Sequence, residues 1–262
     1  MTTELHGQIA LITGSTSGIG LAIASALHAA GARVVLNGLG DPAAVMALRL
    51  GLPWQGGPAD FAAADLSDPA QTIAMIEQTQ ASIGPIDILV NNAGIQHTAR
   101  IEAFAPAHWD RILAVNLSAS FHSMRAVLPS MQSRGRGRII NIASVHGLVA
   151  SVDKCAYVAA KHALIGLTKV AALENAQSGI TCNAICPGWV LTPLVEQQIA
   201  ARAKLQQCDA ATAARELLSE KEPSLRFTRA ADIAAMVLFL AGESAANITG
   251  SAYTLDGGWT AR

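Results

Sequence analysis

Ile9-Ala10-Leu11-Ile12, followed directly by Thr13-Gly14-Ser15-Thr16-Ser17-Gly18-Ile19-Gly20, decides the fold of this 262-residue chain. The first four residues form an unbroken apolar run, the pattern of a strand buried on both faces. Gly14, Gly18 and Gly20 then lead into Gly18 to Ala30, which reads as a helix stopped by Gly31. A helix that opens on a tight glycine turn after a strand offers its first backbone N–H groups to an anion. The spacing is GxxxGxG, not the commoner GxGxxG.

The same alternation continues along the chain. Arg33 to Leu36 reads as a second strand and Phe61 to Ala64 as a short third. Asp68-Pro69 opens a helix, with Asp as the cap and Pro in the first turn. Ile86 to Val90 is a fourth strand, Arg138 to Ile142 a fifth, Thr181 to Ile185 a sixth and Ala252 to Leu255 a last one. Long helices are expected from Pro106 to Met131 and from Lys154 to Gln177, and a shorter one from Ala230 to Leu240. Strands alternating with helices predict an α/β fold: one domain over residues 1–262, built as a doubly wound parallel sheet (a Rossmann fold). Residues 193–228 break the alternation and are polar, Ala-rich and helical in propensity. They are expected to form a small helical lid above the carboxyl ends of the strands.

Bulk composition excludes several classes. Hydrophobic residues make up 51%, enough for a large core, and 18 Lys+Arg against 19 Asp+Glu give a net charge of −1. Without a basic excess, no nucleic-acid partner is expected. Met1 to His6 lacks the basic head and apolar run of a signal peptide, and the longest apolar run, near Ile233 to Ala241, is too short to span a bilayer. A cytoplasmic protein with no membrane partner is expected. Cys155, Cys182, Cys186 and Cys208 form no CxxC pair, so reduced thiols and no metal site are expected.

The glycine turn points to a dinucleotide. Asn91-Asn92-Ala93-Gly94 ends the fourth strand beside the same cleft, and Asp65 is placed to accept a hydrogen bond from an adenine amino group. After the second strand comes Asn37-Gly38-Leu39-Gly40. It holds no acid for a ribose 2′-hydroxyl and no Arg or Lys for a 2′-phosphate. A phosphate dianion without a cation beside Leu39 would be costly, so NAD is the expected cofactor.

Ser144 follows the fifth strand, and Tyr157 and Lys161 lie four apart on one helix face. A phenol titrates near 10, too high for a base at neutral pH, and a neighbouring ammonium is expected to lower it. Tyr157 then exchanges a proton with a carbinol or ketone whose oxygen Ser144 holds.

Taken together, Gly14/Gly18/Gly20, Asn91-Asn92-Ala93-Gly94, Asn116, Ser144, Tyr157, Lys161 and Pro187-Gly188 resemble the short-chain dehydrogenase/reductase family over essentially the whole chain. The resemblance implies hydride transfer to or from nicotinamide. Asn116 would bend its helix and support a proton relay through Lys161. Cofactor contacts are expected from Gly14, Thr16, Ser17, Gly18, Ile19, Gly20, Leu39, Asp65, Leu66, Asn92, Ala93, Gly94, Tyr157, Lys161, Pro187, Gly188, Val190 and Thr192.

Asn91 to His97, Asn141 to Ser151 and Thr181 to Leu194 further resemble the soluble bacterial D-3-hydroxybutyrate dehydrogenases. That resemblance implies NAD-dependent, reversible oxidation of (R)-3-hydroxybutyrate to acetoacetate. Gln96, His146, Lys154 and Gln198 (rather than Gln197) would bind the substrate carboxylate beside Ser144 and Tyr157, and Trp189 would pack on its carbon chain. Trp259 would reach a neighbouring subunit's site in a homotetramer. Two rivals share parts of the signal. One is an NADPH-dependent 3-oxoacyl thioester reductase, against which the missing basic residue argues. The other is a non-catalytic dinucleotide sensor, against which the intact Ser144/Tyr157/Lys161 set argues.

Overall fold

The continuous apolar runs become the strands of a single sheet. The computed structural model describes residues 5–51 and 58–261. Its strands are β1 (Ile9–Ile12), β2 (Arg33–Leu36), β3 (Asp60–Phe61), β4 (Ile88–Asn91), β5 (Gly137–Ile142), β6 (Ile180–Pro187) and β7 (Ala252–Leu255). They lie in the order β3-β2-β1-β4-β5-β6-β7, all parallel. The chain winds outward from β1 to β3, then restarts on the other side of β1 with β4. Ile12 therefore lies between Leu36 and Val90. The reversal opens a crevice at the carboxyl ends of β1 and β4, where ligands bind in open parallel sheets.

Successive strand residues point to opposite faces, so the runs feed two cores. On one face Ala10, Ile12, Val34 and Val90 pack with Ile23 and Leu27 of α1 (Gly18–Ala29) and with Ile233 and Val237 of α9 (Ala230–Ala241). On the other, Ile9, Leu11, Val35 and Leu89 pack with Met75 and Ile76 of α3 (Pro69–Ser82) and with Met124 and Val127 of α5 (Ala119–Arg134). α6 (Cys155–Glu174) adds Leu164 and Ile165 against Ala184 and Cys186 of β6. α6 is the one described helix long and apolar enough to cross a membrane by length and composition, a test that the expectation from Ile233 to Ala241 missed. Its buried face lies on β6.

Three expectations need correction. The third strand is Asp60–Phe61, not Phe61 to Ala64, because the ladder ends where Leu36 pairs with Phe61. A further helix, α2 (Pro42–Gly51), follows β2; its single fully buried residue, Val45, leaves little apolar periodicity to read. The helix expected from Pro106 to Met131 is interrupted. α4 (Pro106–Leu113) passes into a π-turn over Ala114–Ser118 before α5 begins. After β6, α7 (Pro193–Gln206) and α8 (Ala210–Ser219) pack through Val195, Ile199, Ala213 and Leu217.

Asp87, just before β4, fastens the sheet to α5. It is buried; Oδ2 accepts from the Ile9 N–H at 2.9 Å, and Oδ1 accepts from Arg134 and Arg136. Asp87→Ala leaves a buried N–H without its acceptor and removes the ionic partner of Arg134, which keeps only the Ile86 and Ser130 carbonyls. It should lower stability by about 3 kcal/mol, read as a shift in the urea unfolding midpoint.

Candidate active site

The glycine turn is held from β4. Thr13 Oγ1 accepts from the N–H groups of Asn92 and Ala93 at 2.9 and 3.1 Å. Asn92 Nδ2 donates in return to the carbonyls of Thr13 and Gly14, at 2.9 and 3.0 Å. The Asn92 side chain is thus a strap on the turn. Gly14 and Gly18 have φ of +60° and +54°, which side-chain-bearing residues rarely adopt. A Cβ on Gly20 would collide with the Gly14 carbonyl and with Asn92 Nδ2. Ser17 precedes α1 without capping it, and the first turn carries no acid. Its N–H groups therefore suit a pyrophosphate, and the bare turn leaves room for one to approach.

The other expected cofactor residues divide. Thr16 packs against Gly38, where a Cβ would stand 2.7 Å from its side chain. Ile19 lies against the core and Leu39 is 66% exposed. Asp65 does not end β3. Its Oδ1 accepts from the N–H and hydroxyl of Ser67 at 2.9 and 2.7 Å, and these bonds hold its carboxyl below the usual range. The Leu66 side chain belongs to the core, so only its backbone could meet a ligand. Val190 is buried and bridges to Thr228, and Thr192 caps α7 by accepting from the Val195 N–H at 3.4 Å. Asp41, the first acid after β2, accepts from the Ala44 N–H at 3.0 Å in the first turn of α2.

Beyond this turn, β5 and α6 bring together the polar set. Lys161, on α6, is buried and its Nζ donates to the Ile142 carbonyl at 2.7 Å. Ser144 Oγ lies 3.3 Å from His146 Nδ1 and accepts from the His146 N–H at 3.2 Å. His146 Nε2 lies 2.9 Å from Ser151 Oγ, and its ring meets Tyr157 edge-on at 5.8 Å between centroids. Asn116 sits in the π-turn with its amide paired both ways to Ile95: Oδ1 accepts from the N–H at 2.8 Å and Nδ2 donates to the carbonyl at 2.9 Å. A π-turn widens the helix locally, and such turns recur at functional sites.

The expected ionisation of Tyr157 is overturned for the protein alone. Burial pushes the phenol up, and the hydrogen bond with Ser144 pulls the other way. Lys161 Nζ lies 5.6 Å from the Tyr157 ring centroid, and burial drops its own pKa to about 8. Desolvation disfavours both charges and is the largest cause of each shift. Cys186 also faces this set; burial pushes its thiol up to about 11.

Next to the polar set stands an aromatic and cationic cluster. The Trp259 ring lies 5.4 Å from His146 and 6.4 Å from Trp189. Lys154 Nζ lies over Trp189 at 5.5 Å and Lys221 Nζ over Trp259 at 5.7 Å. Within this chain Trp259 therefore belongs to the same cluster as His146 and Trp189. Burial, then the charges of Lys154 and Lys221, lower His146 to about 4, so its imidazole stays neutral near pH 7. Lys154 is itself lowered by burial and by Lys221. Gln96 and Gln198 are exposed, and no hydrogen bond or ring contact joins them to the cluster. His97 turns to His108, 3.9 Å between ring centroids. Lys221 escaped sequence reasoning because it sits in an irregular polar stretch after α8, with no motif to mark it.

Residues 8–203 match the short chain dehydrogenase family. The chain belongs to that family. Over 258 residues it is 51% identical to the D-beta-hydroxybutyrate dehydrogenase of Cupriavidus necator, covering 98% of this chain and 100% of that one. It is 50% identical to the enzyme of the same name from Rhizobium meliloti, at 97% and 99% coverage. The structure of L-sorbose reductase from Gluconobacter frateurii, complexed with NADPH and L-sorbose, superposes with a TM-score of 0.92 at 32% identity over 100% of both chains. This short-chain dehydrogenase thus has the fold and the turn to take a nicotinamide dinucleotide.

Because Lys154 helps to hold His146 uncharged, Lys154→Met should raise the His146 pKa from about 4 toward the ordinary 6.5. Imidazole NMR resonances followed through a pH titration would check this.

Proposed function

We propose that the protein is an NAD-dependent dehydrogenase that reversibly oxidises (R)-3-hydroxybutyrate to acetoacetate. The observation that carries this reading is the pairing of Lys154 and Lys221 with two indole rings, 5.5 and 5.7 Å away, beside the Ser144/His146/Tyr157 set. A short hydroxy acid has the matching parts: an anion for the ammonium groups, a small apolar chain for the rings and a carbinol for the phenol. An unpaired carboxylate in so buried a place would cost several kcal/mol, which the two cations offset. The names of the relatives that are 51% and 50% identical support the same substrate, and the (R) configuration rests on that likeness.

The roles assigned in this reading have support in the geometry. Ser144 hydrogen-bonds the substrate oxygen, and the 3.3 Å contact to a neutral His146 keeps its hydroxyl in place. Tyr157 takes the proton of the alcohol and returns it to the ketone. Lys161 favours the phenolate electrostatically, fixed by the Ile142 carbonyl, while Asn116 supports the proton relay by holding the loop at Ile95. NAD, when bound, supplies the hydride acceptor and a positive ring that also favours the phenolate. The choice of NAD rests on residues 37–48, which contain no Arg or Lys for a 2′-phosphate. The 193–228 segment serves as the substrate lid, and the enzyme works as a cytoplasmic homotetramer.

Initial rates with both enantiomers of 3-hydroxybutyrate and both cofactors test the reading. The (R) acid with NAD should exceed the same acid with NADP by about 100-fold in kcat/KM, about 2.7 kcal/mol. Preference for NADP, together with faster turnover of 3-oxoacyl thioesters, would overturn it.

Tyr157→Phe should lower kcat by about 1000-fold and leave NADH binding, followed by fluorescence, near that of the wild type. Surviving turnover would mean that another group moves the proton.

A further inference from the structure

Glu222 lies three residues beyond α8 and is fully buried, at 0% exposure. Its carboxyl is enclosed by two other segments. Oε1 accepts from the backbone N–H of Trp189, and a Cβ on Gly188 would collide with it. Oε2 is buried without a hydrogen-bond partner, and a Cβ on Gly257 would stand 3.5 Å from it. Gly188 makes room for the carboxyl, and Gly257, at φ +58°, makes room for Ser224 beside it. Each adjoins a ring of the substrate pocket: Gly188 directly precedes Trp189, and Gly257 lies two residues before Trp259. The backbone fixes Glu222 as well. Its N–H donates to Leu218 at 2.7 Å, and the Ser224 N–H donates to the Gly257 carbonyl at 3.0 Å.

We propose that Glu222 is a positioning residue whose buried carboxyl ties the end of the 193–228 segment to Trp189 and to the turn bearing Trp259, and so sets the spacing of the two rings. The proposal rests on the hydroxy-acid reading of that pocket. The groups around Glu222 decide how its hold depends on pH. From the turn after β7, Asp256 faces it across Gly188. Asp256 accepts from the N–H groups of Gly258 and Thr260 at 3.1 and 2.9 Å. The end of β6 contributes Pro187 and Gly188, which carry no charge. On its own segment, Lys221 lies over Trp259.

Burial pushes the Glu222 carboxyl up to about 7, Asp256 adds to the rise, and the Trp189 N–H opposes it. Below that pH the carboxyl is neutral. As pH rises through about 7 a buried carboxylate without a cation on Oε2 forms beside Asp256 and next to the acid-binding lysines, so the packing around Glu222 and the hold on an anionic substrate both weaken.

The test uses the full chain with NAD and (R)-3-hydroxybutyrate between pH 6 and 8.5. In the wild type, KM for the acid should rise about fivefold or more as pH passes 7, while KM for NAD moves little. Glu222→Gln keeps the acceptor for Trp189 but cannot ionise, so its KM for the acid should stay flat near the wild-type pH 6 value. Glu222→Ala should raise KM for the acid about tenfold at every pH, against a smaller change in kcat. If Glu222→Gln retains the wild-type pH profile, or Glu222→Ala affects both substrates alike, the positioning role is wrong. Tryptophan emission separates this from failure of the substrate reading and needs no turnover. The wild type should show a fluorescence transition near pH 7 that Glu222→Gln lacks. Its presence in both proteins would overturn the proposal even if no hydroxy acid is turned over.

Discussion

Lys161 places an ammonium group inside the protein, at the carboxyl edge of the sheet, where water cannot solvate it. A buried charge is tolerable only when hydrogen-bonded and surrounded by suitable dipoles. The Ile142 carbonyl supplies the bond, at 2.7 Å. Gly94 and Asn116 border the same space: a Cβ at Gly94 would lie 3.8 Å from Nζ and 3.7 Å from Asn116 Oδ1, in ordinary contact. Much of the local architecture follows. β5 must end at Ile142 to offer that carbonyl, and the π-turn must offer Asn116 to steady the loop after β4.

The second half of the site works by charge of one sign. Burial and the charge of Lys221 lower the affinity of Lys154 for protons, and burial together with both lysines keeps His146 uncharged. Positive charge of this kind, set beside apolar rings, favours acids over neutral alcohols of the same size. The two indoles cover the flanks and limit how far water can screen the contact.

Much of this was legible in the residues. The apolar runs marked the strands, because a parallel sheet buried on both faces has no polar side to interrupt them. The glycine turn and the Ser144/Tyr157/Lys161 order marked the site, because their chemistry depends on local spacing. What escaped depends on tertiary contact. The π-turn changes no residue pattern, since α4 and α5 stay helical on either side. The two residues of β3 look longer in sequence than the ladder makes them. The direction of the Tyr157 shift turns on how far burial outweighs the Ser144 hydrogen bond, which spacing cannot express. Lys221 and Glu222 meet Trp259 and Trp189 only because the segment after α8 folds back on the ends of β6 and β7.

Cys186 has a chemical consequence of its own. It stands next to the ammonium of Lys161, the sort of neighbour that elsewhere makes a thiol reactive. Here burial wins and keeps the sulfur protonated at physiological pH. Cys182 is held still more firmly, at about 12. Mild oxidants and alkylating agents therefore meet Cys155 and Cys208, the two partly exposed thiols, first. The Ser144/Tyr157/Lys161 set thus carries a sulfur atom at its heart without inheriting the vulnerability of a reactive thiol.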